Sequence, residues 1–327
     1  MADVGDEAVR ATCNDASMCK WYAVQRGYWT DPYICLLVQQ RAERKTPEIN
    51  RGYYARVRGM WELLTAFLHK AGTECQVIGL GAGFDTTFWR LKDQNLLPRK
   101  YFEIDFPTIT ARKLSIIRSK QQLANPLLET HSSGNLNLAD RSDLDTDRYA
   151  LVGADLREPA VVEEKLRRCG LNPKLPTVLL AECVLVYMAP SQSCQLLRWA
   201  ADTFQTALFL SYEQVNLGDR FGQVMIENLR QRHCFLAGAM VCHSFKTQVK
   251  RYLDSNWPQA NALDMRDVYR RLPKDDVKRI EALEFLDEGE LLQQLLQHYC
   301  ISWAWKDQAG IGLDSVNFDG GRPPDLL

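Results

Sequence analysis

The chain has 327 residues, is 46% hydrophobic and carries a net charge of −1. A large interior is therefore expected, near the size at which a single core stops growing. The balanced charge gives no electrostatic footprint for nucleic acid. The longest apolar stretch, around "VLLAECVLVYM", is too short to span a bilayer and contains Glu182, so no membrane association is expected.

The opening "MADVGDEAVRATC" is acidic and lacks an apolar core, which does not read as a signal peptide. The first seventy residues read as helical. In "VRGMWELLTAFLHK", Val57, Met60, Trp61, Leu64, Phe67 and Leu68 share one helical face. Gly72 then breaks the chain before a first strand, "CQVIGL". Strand and helix patterns alternate from there: helix "FWRLKDQ", strand "KYFEID", and helix "FPTITARKLSIIRSK" with Pro107 near its start. The polar "HSSGNLNLADRSDLDTD" reads as a surface loop. Strand "YALVGADL", helix "PAVVEEKLRRCG", buried strand "PTVLLAECVLVYM" running past its end, helix "SQSCQLLRWAADTF" and strand "TALFLSYEQ" follow. Such alternation predicts an α/β fold with a parallel sheet covered by helices on both faces.

The last third is less regular. "GDRFGQVMIENLRQRH" and "DDVKRIEALEFLDEGELLQQLLQHY" read as helices, "CISWAWK" as a late strand at the sheet edge, and "GGRPPDLL" as a frayed tail. The expected division is a helical cap segment over 1–70, a Rossmann-like core over 71–213, and C-terminal helices and late strands over 214–327 that complete cap and sheet. Ten cysteines are scattered with no CxxC pair, which suits reduced thiols in the cytoplasm. His233, Cys234, Cys242 and His243 have no usual zinc spacing, so no metal is expected.

The segment "VIGLGAGFDTTFWRLKDQNLLPRKYFEID" carries the chemistry. Gly79, Gly81 and Gly83 follow an apolar strand and open a helix, and an acidic strand end comes at Asp105. The dinucleotide pattern would place Gly or Ala where Phe84 stands. Asp85 occupies the helix start, where it would cap the helix and repel a phosphate. Both features argue against a nicotinamide oxidoreductase. Glu103 and Asp105 close the second strand, Asp155 the third, and Glu182 the fourth. Four carboxylates converging on one cleft suit a ligand with hydroxyls, amino groups and positive charge. S-adenosylmethionine has all three.

"INRGYYARV", "NLLPRKYFEIDFP", "GADLRE", "LAECVLVYM", "YEQVNLGDRFGQVMIENL" and "LEFLDEGELL" together resemble the leucine carboxyl methyltransferase family over nearly the whole chain. The resemblance is strongest to members that methylate the C-terminal leucine of the protein phosphatase 2A catalytic subunit. It implies an S-adenosylmethionine-dependent methyltransferase with a helical cap and that phosphatase subunit as partner. By position it implies cofactor contacts from Lys20 and Arg56 (methionine carboxylate), Gly81 (backbone), Asp105 (ribose), Asp155 and Leu156 (adenine) and Glu182 (methionine end). Tyr187 and Tyr212 are candidates for the substrate side, with no general base expected. A related enzyme acting on a modified tRNA base carries a further propeller-like domain, for which no room is expected after Asp307. That carboxyl methyltransferase, and a methyltransferase-like protein that only binds a partner, stay open as alternatives.

Overall fold

The computed structural model describes residues 4–38, 43–132, 142–287 and 289–318. The chain opens with α1 (Val4–Gln25), a short α2 (Ile34–Leu37) and α3 (Pro47–Ala71). The alternating part runs β1 (Gln76–Leu80), α4 (Thr87–Asp93), β2 (Lys100–Asp105), α5 (Pro107–Ser119), α6 (Gln121–Leu128), β3 (Leu144–Asp145) and β4 (Tyr149–Gly153). It continues through α7 (Pro159–Arg168), β5 (Thr177–Glu182), α8 (Pro190–Thr203) and β6 (Thr206–Gln214). Then come α9 (Arg220–Gln231), α10 (Phe245–Leu253), β7 (Gln259–Asp264), α11 (Met265–Arg271), α12 (Lys274–Glu281), α13 (Gly289–Gln297) and β8 (Tyr299–Asp307). Proline begins α3, α5, α7 and α8, where its missing N–H and fixed φ cost nothing.

The eight strands form one sheet in the order β3-β4-β2-β1-β5-β6-β8-β7. The five from β4 to β6 are parallel, as the alternation predicts, and their residues are nearly all buried because both faces are covered. Val77 of β1 faces a core built with Phe67 of α3, Phe88 and Trp89 of α4 and Leu114 of α5. Its neighbour Ile78 faces the opposite core, with Val162 of α7 and Leu196 of α8. The predicted apolar face of α3 is buried at Met60, Trp61, Leu64, Phe67 and Leu68. Among the described residues no helix is long and apolar enough to cross a membrane.

The structure departs from the sequence reading in five places. β8 is interior: it lies antiparallel between β6 and β7. The edge is β7, whose polar "QANALD" carries no strand signal. The long C-terminal helix is two, α12 and α13. β5 stops at Glu182, because Cys183 takes φ 56° and the chain turns through Leu185–Tyr187. The polar loop contains β3 at its end; its residues 133–141, and the tail 319–327, lie outside the described residues.

One buried polar group belongs to the scaffold. Glu103 and Lys113 are both inaccessible to solvent and form an ion pair. Tyr149 Oη donates to the same Glu103 oxygen at 2.8 Å, and Lys113 Nζ donates to the Asp85 carbonyl at 2.7 Å. Burial pushes the Glu103 carboxyl up to about 7, against the pull of Lys113. A carboxyl raised in the folded state binds more protons than in the unfolded chain. Between about 4.5 and 7 it therefore makes stability fall as pH rises. Lys113→Met should cost about 3–5 kcal/mol above neutral pH by urea unfolding. The loss should shrink below pH 6, where Glu103 is protonated in both proteins; a pH-independent loss would show that the ion pair is not its cause.

Candidate functional site

A cavity of about 410 Å³ opens at the carboxyl ends of β1, β2, β4 and β5. It lies at the point where strand order reverses between β1 and β5, the usual ligand position in open α/β sheets. α1 roofs it. Asp6, Arg10, Cys13, Ser17 and Lys20, three or four residues apart, form one face of that helix and line the cavity.

Glycine is required at two positions of the first turn for reasons internal to the protein. Gly81 has φ 62°, and a Cβ there would lie 2.6 Å from Val184 Cγ2. Gly83 has φ 52°, and a Cβ there would lie 2.5 Å from Cys13 Sγ on α1. The turn is thus held between the end of β5 and the roof helix. Asp105, at the tip of β2, accepts from Gly83 N–H and Phe106 N–H, each at 2.7 Å. Burial pushes its carboxyl up to about 6 in spite of those two donors.

At the other end of the cavity Glu182 sits between two cations. Arg56 Nε donates to its Oε2 at 2.5 Å and Lys20 Nζ to the same atom at 3.4 Å. Burial alone would raise this carboxyl; Lys20 and Arg56 outweigh it and carry it down to about 2. Lys20 also lies 3.9 Å from Asp85, whose Oδ1 accepts from Thr87 N–H at the start of α4. Asp85 thus engages the first N–H of α4, but the cap position itself falls to Thr86, whose side chain makes no cap bond, so the expected cap at Asp85 is not formed. Arg56 is buried and lies 4.7 Å over the Tyr212 ring.

Lys20, Arg56, Gly81, Asp105, Asp155, Leu156, Glu182 and Tyr187 all line this one cavity. Tyr212 does not. It is buried, stacked on Tyr299 at 5.1 Å, and Tyr299 forms the wall instead. Glu103 is also withdrawn from the expected set of four acids, being taken up by Lys113 and Tyr149. Asp155 is present but occupied: Arg157 donates to it at 2.9 and 2.6 Å, and extends to Asp6 on α1 at 2.9 and 2.8 Å. Arg157 and Asp6 thus tie the roof down near the start of α1, while Arg232, just past α9, pairs with Asp15 at its middle. Sequence reasoning assigned no role to these four. The helical stripe on α1 was the available signal for Asp6, and Arg157 stands inside "GADLRE".

The lining fits S-adenosylmethionine and disfavours a dinucleotide. Asp85 and Glu182 would repel a pyrophosphate at the glycine turn. Paired carboxylates and cations at one end suit the zwitterionic head of an amino acid, and Asp105 suits ribose hydroxyls.

The model of the leucine carboxyl methyltransferase family matches residues 8–201. Leucine carboxyl methyltransferase 1 of Bos taurus is 58% identical over 316 residues, 97% of this chain and 95% of that one. The protein of the same name from Rattus norvegicus is 54% identical over the same shares. The tRNA wybutosine-synthesizing protein 4 of Homo sapiens is 36% identical over 90% of this chain but only 43% of its own length.

Two outcomes follow from the geometry. Gly81→Ala should lower the unfolding temperature and weaken S-adenosylhomocysteine binding by about tenfold or more, read by calorimetry, through its positive φ and the clash with Val184. A ligand whose hydroxyls donate to Asp105 needs the ionised carboxylate. Affinity should therefore fall as pH drops through about 6, and this dependence should vanish in Asp105→Asn; an unchanged pH profile in that variant would place the titrating group elsewhere.

Proposed function

The chain belongs to the leucine carboxyl methyltransferase family, and on that premise we propose that it methylates the C-terminal α-carboxylate of leucine on the protein phosphatase 2A catalytic subunit. S-adenosylmethionine is the methyl donor, and the products are a methyl ester and S-adenosylhomocysteine. The observation that carries this reading is Glu182 held between Lys20 and Arg56, in one cavity with Gly81 and Asp105. Near-full-length identity to proteins named as leucine carboxyl methyltransferases supports it.

In this reading Asp105 accepts from the ribose hydroxyls, Asp155 and Leu156 frame the adenine, and the backbone at Gly81 passes close to the cofactor. Glu182 faces the methionine ammonium, and Lys20 and Arg56 its carboxylate. Tyr187 serves the substrate side. Residues 1–70 form a helical cap over a Rossmann-like core of 71–213, and the helices and late strands of 214–327 complete cap and sheet. When bound, S-adenosylmethionine supplies an electrophilic methyl group on a sulfonium.

A carboxylate is ionised at neutral pH, so the chain need not remove a proton. Its contribution is to bind, orient and dehydrate. Only the Nε–H of Arg56 is engaged by Glu182, which leaves the rest of its fork for a second carboxylate. Burial under α1 removes water from the acceptor oxygen, and fixing its direction supplies an effective molarity of about 10⁵ M or more. Arg56 also holds Glu182 in place, so Arg56→Ala should cost fold stability as well as affinity.

The test follows tritiated methyl transfer. The intact phosphatase subunit should yield a base-labile ester, whereas a subunit lacking its last leucine or bearing a C-terminal amide should yield none. Labelling of the amide would mean that another group is the acceptor, and labelling of tRNA but not protein would transfer the reading to the modified-base substrate. Arg56→Ala should lower kcat/KM by about 100-fold or more.

A further inference from the structure

The turn Leu185–Tyr187 after β5 brings Tyr187 to the cavity wall and Val184 against Gly81. It is gripped from two sides. From the sheet, Glu213 of β6 accepts three backbone N–H groups: Val184 at 3.0 Å and Leu185 at 2.8 Å on Oε1, and Val186 at 3.2 Å on Oε2. From the segment after α9, Gly238 N–H donates to the Val186 carbonyl at 2.8 Å. A Cβ on Gly238 would lie 2.8–3.0 Å from the carbonyl oxygens of Leu185, Val186 and Met188. The donors of the turn converge on one carboxylate, and its acceptors crowd one glycine.

Glu213 is wholly buried, and no ion pair to it is seen among the described residues. Arg251 is near enough to act on it electrostatically, but its guanidinium donates to Gln248 Oε1 at 3.1 Å. A buried carboxylate with no directly paired cation is costly, and a scaffold could fill the space with an apolar side chain. What only a carboxylate provides here is two acceptor oxygens for three converging donors. Glutamine would turn its NH₂ toward one of them.

Resting on the methyl-transfer reading above, we propose that Glu213 is a positioning residue for this reaction. It fixes the 184–186 turn so that Tyr187 meets the incoming carboxylate, with Gly238 as the seat on which the cap presses the turn from the other side. Glu213 touches neither cofactor nor substrate; it acts through Val184 and Tyr187.

The test uses the full chain with Glu213→Gln, Gly238→Ala and Tyr187→Phe. Glu213→Gln should lower kcat by about tenfold to 100-fold, the scale of a displaced acceptor group, with the S-adenosylhomocysteine dissociation constant changed by no more than about threefold. Amide exchange of Val184, Leu185 and Val186 in the S-adenosylhomocysteine complex should quicken while the strands of the sheet stay protected. The double variant Glu213→Gln with Tyr187→Phe should be no slower than the slower single variant, since one acts through the other. Multiplying effects, unchanged exchange at the turn, or joint loss of cofactor binding and overall stability would each overturn the proposal. Should Glu213→Gln not fold, Gly238→Ala decides: a loss of kcat at an unchanged unfolding temperature supports the proposal, and an unchanged kcat overturns it. Exchange requires no substrate, so absence of any methyl ester from the wild-type chain would fail the function reading separately from this one.

Discussion

The site depends on one carboxylate being kept ionised inside the protein. Glu182 ends β5 at the centre of the sheet and draws Lys20 from α1 and Arg56 from α3 onto the same oxygen. Without those cations, burial would push its carboxyl up, toward the neutral form. With them, the N-terminal helices are fastened to the strand ends, and the cluster of Lys20, Arg56, Glu182 and Asp85 presents both signs of charge within one small volume. That is the complement of an amino-acid head group. In the proposed reading, recognition and assembly are served by the same contacts.

Roof and floor are held by different forces. The floor is sheet and turn, closed by packing and by backbone hydrogen bonds to Asp105 and Glu213. The roof helix is held by Asp6–Arg157 near its start, by Asp15–Arg232 at its middle and by Lys20–Glu182 further along. The second pair is about half exposed, and pairs of that kind contribute little to stability and weaken with salt. Lifting the first half of α1 therefore breaks only partly exposed pairs, whereas lifting the whole helix would also break Lys20–Glu182.

Much of this was legible in the sequence because it rests on local rules. Strand–helix alternation, proline at helix starts and the glycine turn each follow from chain geometry, and they located Gly81, Asp105 and Glu182 on one side of the sheet. What escaped were pairings made over long sequence separation. β7 is a polar strand defined only by its register with β8. Glu103 reads as a strand-end acid like Asp105, and only the burial of Lys113 ten residues on diverts it. Tyr187 and Tyr212 are indistinguishable as sequence, yet a change of backbone direction at Cys183 sends one to the wall and leaves the other in the core. Arg157 and Asp6 are 151 residues apart and meet only because α1 crosses the end of β4.

The position of β8 has a consequence for biosynthesis. Residues 299–307 are inserted between β6 and β7, so both neighbours present open edges until this segment has left the ribosome. β6 is entirely buried in the finished sheet, and an apolar strand with an unpaired edge is a template for pairing with other chains. The parallel core can order its other strands early, but the nascent protein depends on a late segment to seal it. Ribosome stalling or proteolysis before residue 299 would therefore release a species with a sticky apolar edge rather than a smaller soluble enzyme.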